Sequence, residues 1–442
     1  MGGDVSEQTR RRFHNAWQRS DGIFDLVPRE RWLDTPIRLR HPLLFYVGHL
    51  PAFAWNQLGS GLLGHEPADP RFDQLFAFGI DPIGVDGHEA EIEWPTVDEV
   101  LAYRDEVRAR LLDAVDEVAD LAADHVMAAR GRIFHLVLEH EYMHHETLQY
   151  MLQQIEPGLK RRPGDAATHL PDSGCETGFV PVAGGDVVLG AEFEDIEFGW
   201  DNEFPSQLVS VGDFEIGRTL VRNFDWLEFL EAGGYDRAEW WQAEDWAWRE
   251  RVGLSHPTTW SRGDGGWSYR TMFEELTLEA AGPRPVMVSL AEARAFCRWR
   301  GVRLPTEAEL HRALYGSPGG SPRRYPWGDQ APQAGVHGNF DFSYWTPTPV
   351  GSFPDGASAW GLEDAIGNLW QWTSTPFRGL PGFEAYIPGY EGYSADFFDD
   401  RHFVMLGASW ATPAPLIRRS FRNWFQDHYP FAFAGFRTVR EP

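Results

Sequence analysis

The sequence predicts an α+β protein of two domains: a four-helix bundle over residues 1–165, and a mixed domain of short strands, turns and a few helices over residues 175–442. Three observations carry this. Residues 97–129 place Val100, Leu101, Val107, Leu111, Leu112, Val115, Val118 and Leu121 at helical spacing among many acidic residues. Residues 160–174 are rich in Pro, Gly and polar side chains and read as a linker. Beyond them the texture changes: short apolar runs alternate with Gly and Pro turns, and the 20 Trp concentrate after residue 195.

Taken in order, helices are expected near residues 7–22, over 41–58, over 97–129 and over 131–155. Together they make an antiparallel bundle, a scaffold that often holds metals between facing helices. In the second half, strands are expected at 179–182, 187–189 and 209–211, with helices near 223–232 and 289–300. No repeat of fixed period is present.

The chain has 442 residues, 43% hydrophobic and 24% charged, enough for each domain to bury a core. Its formal charge of -27 argues against nucleic acid or an anionic membrane as partner. Two cysteines, Cys175 and Cys297, are too few for a disulfide scaffold and fit a reducing cytoplasm. The charged N-terminal run has no apolar centre, so no signal peptide is expected, and no apolar run approaches the ~18 residues of a membrane span. A cytoplasmic enzyme on small molecules is the expectation; nothing in the sequence speaks to oligomeric state.

The most informative stretch is His140-Glu141-Tyr142-Met143-His144-His145-Glu146. Spacing of four puts His140 and His144 on one helix face, one turn apart, where they can grip one metal ion. His49, at the end of a second apolar helical run, makes a third donor if the helices pack. Three neutral imidazoles with open positions suit a redox-active Fe(II) or a catalytic Zn(II). Glu146 lies ~200° around the helix from His144 and reads as support, while His145 points ~100° away. His41 and His135 read as helix-end or packing residues.

At these residues the chain resembles the iron-dependent sulfoxide synthases, the ergothioneine synthases (EgtB type) and ovothiol synthases (OvoA type). Arg40-His41-Pro42-Leu43-Leu44-Phe45-Tyr46, Gly48-His49 and His140-x-x-x-His144-x-Glu146 are similar to the family's DinB-like half. Trp200-Asp201-Asn202-Glu203, Arg303-Leu304-Pro305-Thr306-Glu307-Ala308-Glu309, Tyr325-Pro326-Trp327-Gly328, Gly367-Asn368-Leu369-Trp370-Gln371-Trp372-Thr373, Gly407-Ala408-Ser409-Trp410 and Ala434-Gly435-Phe436-Arg437 are similar to its formylglycine-generating-enzyme-like half, a C-type-lectin-like scaffold. The resemblance covers nearly the whole chain, with the motifs in the same order.

The resemblance implies a non-heme Fe(II) held by His49, His140 and His144, with O2 as co-substrate. A thiol, γ-glutamylcysteine or cysteine, and the imidazole of the histidine betaine hercynine would be joined through a C–S bond and a sulfoxide, in ergothioneine biosynthesis. It implies that Tyr390, in Tyr390-Glu391-Gly392-Tyr393-Ser394, gives a proton or hydrogen atom to the reacting oxygen. Tyr393 would line the imidazole pocket. In Arg422-Asn423-Trp424, Asn423 and Trp424 would meet the amino-acid part of the substrate. Two positions depart from the pattern. Met143 stands where many ergothioneine synthases have a Gln that binds the imidazole. Asp427 lies two positions beyond the family's thiol-binding Asp.

Four other readings compete. They are an ovothiol-type enzyme on histidine, a selenosugar-using selenoneine synthase relative, a thiol dioxygenase, and a lectin-like binding module. Formylglycine generation needs a cysteine pair late in the fold, where this chain has none. A structural Ca2+ in the second half rests only on generic Asp and Asn loops.

Overall fold

The computed structural model describes residues 2–77, 92–121, 125–164, 166–167, 169–171 and 176–442. The chain divides into two compact units, Met1–Pro163 with Tyr386–Glu391, and Gly164–Ala385 with Gly392–Pro442. Cys175 and part of the expected linker lie outside the described residues. Among the described residues, no helix is long and apolar enough to cross a membrane.

The first unit is built from α1 (Gly2–Phe24), α2 (Leu43–Ala54), α3 (Pro70–Leu75), α4 (Val97–Ala119) and α5 (Arg132–Gln153). Thr96 starts α4 through a capping box: its hydroxyl takes the Glu99 N–H, and the Glu99 carboxylate takes the Thr96 N–H. The helix stops at Ala119, a correction to the expected run to residue 129. α3 is an addition, capped by Asp69 and held to α4 by Tyr103, whose hydroxyl donates to the buried Asp73 at 2.5 Å. Every residue of α2 is buried, and past Pro51 it widens into a π-helical turn over Trp55–Leu62.

α5 carries buried polar groups as well as apolar ones. On one stripe, Glu141 and His145 both meet Ser20 of α1, His145 Nε2 at 2.8 Å. This polar knot pins α1 to α5 and fixes the rotation of α5 about its axis. His140 and His144, ~100° around the helix from this stripe, consequently face α2.

The second unit runs through β1 (Phe179–Val182), β2 (Gly185–Leu189), β3 (Gln207–Val211), β4 (Phe214–Gly217), α6 (Asn223–Glu231), α7 (Ala243–Val252), β5 (Trp260–Gly263), β6 (Gly266–Arg270) and β7 (Glu275–Thr277). It continues through α8 (Leu278–Ala281), α9 (Leu290–Arg300), α10 (Glu307–Tyr315), β8 (Trp370–Pro376), α11 (Gly392–Ala395), β9 (His402–Leu406), β10 (Asn423–Gln426), β11 (Ala434–Gly435) and β12 (Val439–Arg440). The strands form four small sheets, ordered β1-β4-β12, β2-β3, β5-β6-β7 and β10-β9-β8-β11, all antiparallel except the β8–β11 pair. The expected strands and two helices are present; α7, α8, α10 and α11 are helices that the short polar and aromatic runs concealed. Cys297 packs inside α9, and burial pushes its thiol upward, as a core residue requires.

The motifs of this half hold the architecture. Thr306 and Glu309 form the capping box of α10, and Arg303 grips Glu309 with both Nη atoms. Asn368, left-handed at φ 63°, has its side-chain oxygen accept from Asn339 and Thr348 while its amide donates to Asp364. Arg437 is wholly buried, and its guanidinium reaches Gln371 Oε1 and the carbonyls of Gly217, Arg218, Glu363 and Asp364. Arg437→Met would strand these acceptors without a donor. We expect it to destabilise the second unit by about 3–5 kcal/mol, read as a shifted urea midpoint in Trp fluorescence. A midpoint within experimental error of wild type would show that the acceptors find other donors.

Candidate active site

In the first unit α2 presents a ladder of rings at spacing four. His41 lies against Phe45 with ring centroids 4.2 Å apart, and Phe45 stacks on His49 at 4.9 Å. Phe53, one turn further, lies face to face on His140 of α5 at 3.6 Å and 12°. From Phe45 to Phe53 the ladder follows from helix geometry, because residues four apart share a face; His41, two residues before α2, extends it. It leaves the three imidazoles of His49, His140 and His144 gathered together. Their centroids are 4.5–5.0 Å apart, and each residue is at most 6% exposed.

Hydrogen bonding aims them. His49 Nδ1 donates to the Phe76 carbonyl at 2.7 Å, which leaves its Nε2 as the lone-pair nitrogen, buried and with no hydrogen-bond partner. His140 Nε2 and His144 Nε2 face each other at 3.1 Å, and one nitrogen of each of the three residues lies within 4.8 Å of the other two. Burial is the main cause that lowers all three pKa values, His49 to about 4 and the other two well below the usual range, with neighbouring positive charge adding to it. All three are therefore neutral at pH 7.

This donor set fits a divalent metal. The 3.1 Å separation is what two nitrogens show when they share one ion at ~2.1 Å each. A buried, unpartnered imidazole nitrogen is costly unless something binds it. Among the described residues a second group of donors, Asp245, Asp427 and His428, also converges. That one already has its cation: Arg294 reaches Asp245 at 3.4 Å and Asp427 at 2.9 Å.

Tyr390 groups with this first unit through Tyr386–Glu391. Its ring meets Phe53 edge-on at 5.3 Å, so one phenyl ring separates it from His140. Met143 is half-buried on α5, next to His144; Glu146 is half-buried too and lies outside the histidine group. His41 and His135 pack as expected, the latter against Arg12 at 3.3 Å.

The other expected site residues lie in the second unit. Tyr393, on α11, stacks on Trp200 at 4.1 Å and meets Trp424 edge-on at 5.3 Å; Trp424 stacks on Phe377 at 4.1 Å. Asn423 and Trp424 open β10, both half-buried, and the Asn423 side-chain oxygen takes the Trp424 N–H. Arg422 is buried and spends its guanidinium on Glu307 and on the carbonyls of Asn202 and Arg378. Asp427 belongs to the ion cluster with Arg294 and His428.

Phe45, Phe53 and Phe76 were invisible as site residues in the sequence. The spacing of Phe45, His49 and Phe53 was the available signal for two of them, though it reads equally as core. Phe76 contributes a main-chain carbonyl, which no side-chain pattern reveals.

Comparison with known proteins agrees with this architecture. Residues 12–148 match the DinB superfamily, and residues 168–442 match the sulfatase-modifying factor enzyme 1-like domain. A hercynine oxygenase of Mycolicibacterium smegmatis is 38% identical over 348 residues, 76% of this chain and 77% of that protein. A hercynine oxygenase of Mycobacterium tuberculosis is 37% identical over 382 residues, 86% of each chain. The ergothioneine biosynthesis protein 1 of Neurospora crassa is 29% identical over 94% of this chain and 56% of its own length. With both domains present and hercynine oxygenases alike over most of their length, the chain belongs to the ergothioneine-synthase (EgtB-type) family of sulfoxide synthases.

Proposed function

We propose that this protein is a non-heme Fe(II), O2-dependent sulfoxide synthase of ergothioneine formation, which joins the sulfur of a thiol to the imidazole of hercynine. The observation that carries the reading is the gathering of three buried, neutral histidines with Tyr390 one ring away. The names of the relatives support the hercynine substrate and the oxygenase class. When bound by His49, His140 and His144, Fe(II) supplies the redox chemistry that lets O2 react with a thiolate and an imidazole.

The chain's own residues then have distinct tasks. Neutral imidazoles add no charge, so the ion keeps its attraction for a thiolate. Phe45, Phe53 and Tyr46 wall the histidines with rings and exclude water. The Tyr390 phenol carries the proton or hydrogen atom that the reaction needs. On the second unit, the Tyr393 and Trp424 rings suit a trimethylammonium group, and the Asn423 amide N–H2 stays available for a carboxylate. Arg422 acts by holding the start of β10 to Glu307. The thiol is γ-glutamylcysteine or cysteine, and Asp427, the candidate partner for its amino group, would share its carboxylate with Arg294.

Met143 favours a second reading. An apolar side chain beside His144 offers a substrate imidazole no amide partner, which suits an ovothiol-type reaction on histidine. One assay separates the two. Iron-loaded protein, prepared anaerobically, is mixed with thiol, O2 and either hercynine or histidine. Oxygen uptake that needs both thiol and hercynine supports the first reading; uptake with histidine alone transfers support to the second. No uptake with any thiol–imidazole pair sinks both.

A further inference from the structure

Gly48, on α2 immediately before His49, is buried against the ring of Phe76. A Cβ built on Gly48 would lie 2.4 Å from Cε2 and Cζ of that ring and 2.5 Å from Cδ2. Carbon atoms in contact sit ~3.5–4.0 Å apart, so a single methyl would have to push the ring by roughly 1 Å.

The ring has nowhere easy to go. Phe76 is wholly buried, flanked by Phe45, Phe72 and Tyr103 at 5.8–6.1 Å between centroids. Its main chain is fixed by the Phe76 N–H to the Phe72 carbonyl at 2.9 Å, at the end of α3. α3 itself is anchored by Asp73, which accepts from Tyr103 and from the Ala68 N–H at 2.8 Å. Phe76 also supplies the carbonyl that accepts from His49 Nδ1 at 2.7 Å. Ring seat and hydrogen-bond acceptor are thus two parts of one residue, so a ring pushed by roughly 1 Å strains the main chain that holds the acceptor.

We propose that Gly48 is a positioning residue for the metal centre: its missing side chain seats the Phe76 ring on α2, and the seated residue holds its carbonyl on His49 Nδ1. This inference rests on the three-histidine centre proposed above. The Nδ1 bond matters because it selects the tautomer in which Nε2 carries the lone pair, and because acceptors of this kind fix a ligand's orientation. Ala is otherwise the better helix former, so a loss on Gly48→Ala runs against helix propensity.

The test is a titration of metal-free protein with Co(II) alone, followed by the ion's visible absorption, on wild type, Gly48→Ala, Phe76→Ala and the double variant. Gly48→Ala is expected to bind Co(II) at least tenfold more weakly than wild type. In the Phe76→Ala background the added methyl meets no ring, so the double variant should bind within about threefold of Phe76→Ala. A merely structural clash would lower the melting temperature and leave the affinity of the folded protein unchanged. The inference is overturned if Gly48→Ala matches wild type, or if its loss persists in full without the Phe76 ring. Should Gly48→Ala fail to fold, a double variant that folds and binds like Phe76→Ala supports the inference, and one that folds but binds tenfold worse overturns it. A wild type that takes up no Co(II) removes the metal centre itself, and this inference with it.

Discussion

Replacing His144 or His140 by alanine is expected to empty the metal centre. Each histidine contributes one of three nitrogens, and among the described residues the group contains no fourth protein donor to compensate. Four-ligand structural zinc sites bind with about 10–16 kcal/mol, so one ligand is worth roughly 3–4 kcal/mol, several hundredfold in affinity. Metal analysis after anaerobic loading should fall from one iron per chain to under a tenth, and oxygen uptake should fall with it. Far-ultraviolet circular dichroism should stay near wild type, because α5 is held to α1 by Glu141, His145 and Ser20 on another face. Full iron content in either variant would mean that the histidines are packing residues.

Tyr390→Phe is the second large effect, and it separates chemistry from binding. The variant keeps the ring that meets Phe53 and loses only the hydroxyl. Metal affinity should stay within about twofold of wild type. Sulfoxide formation should fall by roughly 10²–10⁴, the usual worth of a positioned proton donor. Thiol should still be consumed, its sulfur oxidised without joining the imidazole. An unchanged product at an unchanged rate would remove Tyr390 from the mechanism.

Much of this could be read from the chain, for identifiable reasons. His140 and His144 were legible because four-residue spacing is a property of the helix itself, and His49 because the apolar run before it had to face a core. The start of α4 was legible in the apolar spacing that begins at Val100 and Leu101, and the Thr96–Glu99 capping box is its local cause. Its end was not: Asp120-Leu121 contains no Gly or Pro to announce it. The helix α7 was missed because Trp, Arg and Glu dominate it, so no clean apolar stripe marks the period, and α10 because its nine residues are too short a run for the period to stand out. Phe76 was missed because its contribution is a carbonyl fixed by tertiary contacts. The grouping of Tyr386–Glu391 with the first unit is likewise a product of folding, since over two hundred residues of sequence separate Tyr390 from the bundle.

The motifs of the second half that carry the family resemblance hold its fold. Arg437, Asn368, Glu309 and Arg422 are each spent on buried carbonyls, amides or carboxylates. Residues that hold a buried polar network are as constrained as residues that bind a ligand.

Coupling of a thiol to an imidazole at one iron held by His49, His140 and His144 is tested most directly by the mass spectrum of the product made from hercynine and γ-glutamylcysteine under ¹⁸O₂. Thiol, imidazole and O2 balance to one coupled sulfoxide and one water. A single adduct is therefore expected, lacking two hydrogens of the combined substrates and carrying one added ¹⁸O. Unaltered hercynine beside a doubly labelled sulfinic acid, or no oxygenated product, would contradict it.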